Sequence, residues 1–182
     1  MLGNRTFPLN QYPSVRLDTY EIALGISQAE EQDQESARFG RGDKRGLTTR
    51  QAEMSLKGSL AEVAAHVYLN RPFQKSINKS QSPDLITSKG QAFDVKCSQG
   101  VYVHFVAQEH LQKAKGNNCH FMFLHTPDKE TFYILGYLRN SEVEQFPLTN
   151  PGGRMNEDGS EALAYTIPVT ALRPIPQPNG RN

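Results

Sequence analysis

The chain has 182 residues, 20 basic against 19 acidic side chains, a formal net charge of +1 and two cysteines. That length suits one domain with a sizeable core, or a core plus an appendage, and two cysteines neither staple a disulfide framework nor supply a four-cysteine zinc site. No apolar run approaches the roughly 18 residues that span a bilayer, and the opening MLGNRTFPLN lacks the apolar stretch of a secretory signal.

In chain order, residues 1–14 contain Pro8 and Pro13 and read as an irregular arm. Residues 15–37 are rich in Glu, Gln and Ala, and Leu17, Tyr20, Ala23 and Leu24 predict an amphipathic helix with a break near Gly25. Residues 38–46, RFGRGDKRG, set three glycines among Arg38, Arg41, Lys44 and Arg45. They predict a basic loop whose backbone is free to approach a ligand closely. A second helix is predicted over 49–69, stopped by Asn70 and Pro72. Its apolar stripe is Leu56, Leu60, Val63, Ala64 and Val67, with Ser59, Glu62 and His66 on the adjoining face.

Beyond that helix the period changes to two. Residues 83–87 and 91–97 read as strands joined by Ser88, Lys89 and Gly90. Further strands are predicted at 101–106, 120–125, 131–137 and 164–169, with a short helix at 108–115. Residues 147–162 form a polar loop, in which Arg154 is a candidate phosphate contact, and a proline-rich tail closes the chain. Helices followed by a meander with an inserted helix give a mixed α/β domain. The expected division is an N-terminal extension over 1–48 (arm, acidic helix and basic loop), a domain over 49–175 and a disordered tail over 176–182.

Charge is unevenly placed. Residues 1–37 carry two basic and six acidic groups, residues 38–96 eleven and five, and residues 97–182 seven and eight. The middle third is therefore a +6 block that fits a polyanion, although a lone charge run is most often solvated surface. Three of its five acids, Glu62, Asp84 and Asp94, are the ones with a patterned setting.

Asp94 and Lys96 are two apart in a predicted strand and share one face, while Phe93, Val95 and Cys97 face the core. With a three-residue loop ending in Gly90, residue i pairs with 178 − i, and Asp84 stands opposite Asp94. Facing carboxylates destabilise a sheet unless something offsets them, and a divalent cation between them would do so. Each piece alone has a bland explanation: Asp-Val-Lys as a solvated strand face, Pro-Asp as a turn, Glu62 as a helix-surface acid. Their joint order is less common.

That order resembles the PD-(D/E)XK nuclease superfamily, the restriction-endonuclease-like fold, in its small phage or mobile-element members. The carrying residues are Gly58-Ser-Leu-Ala-Glu62 with Ala65, then Pro83-Asp84, then Asp94-Val95-Lys96. The pieces 132–139, 167–169 and 172–174 extend the likeness downstream. The resemblance implies a mixed central sheet flanked by helices and a Mg²⁺-dependent deoxyribonuclease, with Mn²⁺ able to substitute. It implies that Glu62, Asp84 and Asp94, with the Val95 carbonyl, hold the metal and that Lys96 contacts the attacking water or scissile phosphate. Arg38, Arg41, Lys44 and Arg45, together with Ser98 and Gln99 after the lysine, are the candidate DNA contacts.

An endonuclease on DNA is the leading expectation, located in the cytoplasm of a bacterial or phage-infected cell. Alternatives are a junction-resolvase-like or exonuclease member, a catalytically inactive nucleic-acid-binding module on the same fold, and a plain interaction protein. A homodimer and a protein partner at the acidic N-terminal helix remain open, and no membrane contact is expected. His66 reads as a helix-surface histidine. His104, His110, His120 and His125 with Cys97 and Cys119 show no metal-ligand spacing. Tyr102, Phe105 and Tyr133 are able to stack on bases, although strand aromatics usually fill cores.

Overall fold

The structure, a computed structural model, describes residues 8–38, 49–73, 83–98, 100, 102–153, 155 and 159–176. Arg41, Lys44, Arg45, Gln99 and Arg154 lie outside the described residues.

A short strand β1 (Ser14–Arg16) precedes helix α1 (Thr19–Arg38), so the chain begins as a strand where the sequence predicted helix. Val15 is buried and pairs with Phe132, and long-range pairing overrides local helix preference there. The helix starts later, at a reciprocal cap. The Asp18 amide donates to Glu21 Oε2 at 2.9 Å, and the Glu21 amide donates to Asp18 Oδ1 at 2.8 Å. No break occurs at Gly25. A Cβ at that position would lie 2.6 Å from Leu60 Cδ2 and 3.3 Å from Leu60 Cα, so the glycine permits helix contact rather than ending the helix. The buried face of α1 runs through Gly25, Gln28 and Ala29, whereas Tyr20, expected on the apolar stripe, is 70% exposed.

Helix α2 (Thr49–Tyr68) packs Leu60, Ala61, Val63, Ala64 and Ala65 into the first core. It leads to strand β2 (Leu85–Ile86) and strand β3 (Ala92–Ser98). Leu85 pairs with Phe93 and Ile86 with Ala92, the register expected from the loop length, and Gly90 takes a φ of 78°. Then follow β4 (Val103–Ala107), α3 (Gln108–Gly116), β5 (Cys119–His125), β6 (Thr131–Leu138), β7 (Leu148–Thr149) and β8 (Ala164–Pro168).

Two sheets result. The larger has the order β1-β6-β5-β3-β2 and is antiparallel except for the β3–β5 pair, which α3 connects as a parallel crossover. The smaller is antiparallel, β4-β8-β7. Strand β5 is apolar almost throughout because it is covered on both sides. Met122 and Leu124 enter the core beneath α2, and Phe121 and Phe123 enter a second core with Leu111, Val106 and Ile167. The fold is mixed α/β, a mixed sheet flanked by helices. No helix among the described residues is long and apolar enough to cross a membrane.

Two local devices hold the chain ends and turns. Gly136 has a φ of 138°, and a Cβ there would lie 2.5 Å from the Arg173 carbonyl oxygen. That opening lets residues Tyr137 and Arg173 exchange N–H···O bonds of 2.8 and 2.9 Å. The distant pieces 132–139 and 172–174 thus meet for packing reasons. Between β3 and β4, Ser98 Oγ lies 2.5 Å from the Gly100 carbonyl and 3.1 Å from His104 Nδ1. The hydroxyl donates to the carbonyl, so His104 Nδ1–H donates to the hydroxyl. His104 Nε2 then carries a buried lone pair with no hydrogen-bond partner among the described residues. Burial, followed by the nearby His125, pushes His104 down to about 4.

Gly136→Ala should cost on the order of 3 kcal/mol, from a left-sided φ plus a backbone clash, read as a drop in urea midpoint. His104 gives a pH dependence of known sign. Its folded pKa lies below the unfolded 6.5, so the unfolded chain takes up the proton first as pH falls. Stability is complete above pH 6.5 and falls by about 3 kcal/mol towards pH 4. In His104→Asn the slope between those values should shrink, with His120 and His125, also pushed down by burial, supplying the remainder.

Candidate functional site

Strand β2 pairs with only two residues of β3, so from Asp94 onward β3 has β5 on one edge and no β2 partner on the other. At that open edge lies a cavity of about 280 Å³ lined by Glu62, Asp84, Asp94, Val95 and Lys96 together with residues of α1 and α3. The sequence-predicted metal and catalytic residues therefore border one space.

Each acid is held by a specific donor. Asp84 Oδ2 accepts the Val95 amide at 2.8 Å, taking up a β3 backbone donor just where β2 stops pairing. The Lys96 ammonium sits 2.9 Å from both oxygens of Asp94, with the Phe121 ring centroid 6.0 Å away. Glu62 Oε2 accepts from Gln28 Nε2 at 2.5 Å in a buried contact between α2 and α1. Leaving a carboxylate buried without such a donor is costly, so the α1 amide is part of what makes Glu62 tolerable inside the fold. Ser59, one turn earlier, is buried and donates to Gln32 Oε1 at 3.4 Å.

The residues that sequence reasoning missed come from α1 and α3. Gln32 lines the cavity from α1, His110, Lys113 and Ala114 line it from α3, and Asn117 lines it from the cap of that helix. Positions 110, 113, 114 and 117 follow the helical i, i+3, i+4, i+7 spacing, a signal the sequence contained. Gln28 and Gln32 are likewise i, i+4 along α1. Nothing local marked that face as buried, because its residues are amides and glycine rather than large apolar groups.

The Ser98 hydroxyl closes the β3–β4 turn, and Ser98 is outside the residues that line the cavity. Arg38 is the exposed last residue of α1. One expectation is corrected: His66 is buried rather than on the surface. Phe73 folds back over it edge-on, at 5.1 Å between ring centroids, and its Nδ1 bonds the Glu62 carbonyl at 2.8 Å.

Cys119 lines this cavity as a buried free thiol. Burial, then the fields of Asp94 and Asp84, pushes Cys119 up to about 12, and burial pushes Cys97 up to about 12 as well. In the free chain both thiols are protonated near neutrality. His110 is pushed down, first by burial and then by Lys96, with Asp94 opposing.

Glu62, Asp84 and Asp94 with the Val95 carbonyl are oxygen donors of the kind a hard cation takes, and His110 and Cys119 line the same cavity. In the arrangement present, no three His, Cys, Asp or Glu side chains among the described residues stand close enough to hold a metal ion. The Lys96 ammonium is paired with the Asp94 carboxylate.

The Gln28–Glu62 contact can be weighed by a double-mutant cycle with Gln28→Ala and Glu62→Ala. A coupling of about 1–3 kcal/mol is expected for a buried hydrogen bond to a carboxylate, whereas additive losses would remove the contact's energetic role. No family model, no curated protein and no solved structure matches this chain.

Proposed function

We propose that this chain is a metal-dependent nuclease of the PD-(D/E)XK type, an endonuclease hydrolysing phosphodiester bonds of DNA, on a restriction-endonuclease-like fold. The observation that carries this reading is the cavity at the open edge of β3. Acids from a helix, from a Pro-Asp strand start and from an Asp-x-Lys strand border that cavity together with a lysine.

Glu62, Asp84, Asp94 and the Val95 carbonyl would hold Mg²⁺, or Mn²⁺ in its place. When bound, the cation would neutralise charge on the phosphate and acidify a water. The chain's own residues have separate tasks. Lys96 places a compact positive charge where a non-bridging phosphate oxygen would lie, and Asp94 fixes its direction. The Val95 amide orients Asp84, and Gln28 orients Glu62. Lys113 extends the positive wall from α3.

One observation favours a second reading. Lys96 and Lys113 both line the cavity, and such a positive wall also suits a DNA-binding module that does not cleave.

The readings separate on plasmid and linear DNA incubated with Mg²⁺ or Mn²⁺. Cleavage should appear with either cation, vanish in EDTA, and fall about 100-fold or more in both Asp94→Ala and Lys96→Ala. Salt-sensitive binding without cleavage, unaffected by EDTA, would instead establish the binding module.

A further inference from the structure

A second, larger cleft of about 710 Å³ adjoins the carboxylate cavity, and Lys96 and His110 line both. Its wall is of a different kind. Phe105 on β4 is 49% exposed and Met54 on α2 is 54% exposed, and both line this space. On β4 the inward residues His104 and Val106 are fully buried, so Phe105 stands on the outward face, where an antiparallel sheet ordinarily places polar groups.

The two spaces are joined along one helix face. Met54, Gly58 and Glu62 follow one another at i, i+4 and i+8 on α2, leading from the cleft to the acids. At Gly58 a Cβ would meet nothing within 4 Å, so the track is open in the middle. A glycine inside a helix costs about 1 kcal/mol relative to alanine, and packing does not require this one.

The cleft offers two kinds of group. Lys96 lines it where it meets the carboxylate cavity, and a compact cation suits a phosphate. The Glu109 and Glu161 carboxylates and the Phe105 ring also line it, and carboxylate acceptors with an aromatic face suit a nucleobase with its ring N–H and exocyclic amino donors.

We propose that the cleft receives an unpaired nucleotide adjoining the phosphate held at the carboxylate cavity, its base stacked on Phe105 and its backbone passing Gly58. The substrate class is then single-stranded or locally opened DNA, since a base inside a continuous duplex stack has both faces covered by its neighbours. This rests on the nuclease reading of the neighbouring cavity.

The test is binding in EDTA, where cleavage plays no part, using the full chain and fluorescent oligonucleotides as single strands and as blunt duplexes of the same sequence. Stacking of one base corresponds to an affinity change of about 5- to 150-fold. Phe105→Ala should weaken single-strand binding within that range and leave the blunt duplex nearly unchanged. Phe105→Tyr, which keeps the ring, should bind single strands as the parent does. A 2-aminopurine placed in the strand should be quenched by the parent and by Phe105→Tyr but not by Phe105→Ala. Single-strand affinity unaltered in Phe105→Ala, or equal losses on both substrates, would overturn this proposal and leave the nuclease reading standing. Absence of any DNA binding would overturn both.

Discussion

Leu85 pairs with Phe93 and Ile86 with Ala92, and that register decides on which side of the sheet Asp84, Asp94 and Lys96 stand. Because side chains alternate, a slip of one residue would send Asp94 and Lys96 into the first core and Phe93 and Val95 into water. The apolar pair prevents this. Phe93 and Val95 are buried beneath α2, and β5 locks β3 from the other edge over seven paired residues. The polar face is thus an obligatory consequence of the apolar one. Each acid of this edge takes its own donor, Asp84 from the Val95 amide and Asp94 from the Lys96 ammonium.

Helix α1 contributes more than cover. Its contact with α2 is close because Gly25 has no side chain to separate them from Leu60. That closeness brings Gln28 within hydrogen-bonding distance of Glu62 across a buried interface. The N-terminal segment also supplies Val15 and Leu17 to the same core as Leu60 and Phe132. An acidic amphipathic helix can read as a detachable lid or a partner surface. Here its buried Gln28 bonds Glu62, and its Gln32 lines the cavity.

The second sheet has a different role. Its inward residues close the second core, and the Ser98–His104 latch turns the chain out of the larger sheet into β4. A neutral histidine serves there as a packing group with one satisfied nitrogen, set against Phe123 at 5.2 Å between ring centroids. The outward face of β4, carrying Phe105, extends the cavity's surroundings from acids to an aromatic wall. One lysine thereby borders two chemically distinct spaces.

The sequence by itself determined the local features whose signals are short in range. These are the α2 stripe, the hairpin with Gly90 at its left-handed position, the common face of Asp94 and Lys96, and the sites of α3, β5 and β6. Period and turn chemistry suffice for such features because they depend on neighbours within a few residues. Strand β1 was hidden because three residues flanked by a capped helix have no period of their own, and their pairing partner lies far along the chain. The cap that ends the ambiguity, Asp18 with Glu21, was present in the sequence as a pattern three residues apart. What only the tertiary structure decided was which distant faces meet: Gln28 with Glu62, α3 with the acids, Phe105 with the shared lysine. Periodicity reports that a side chain is covered or exposed, but the identity of its neighbour is set by long-range packing, which no local pattern encodes.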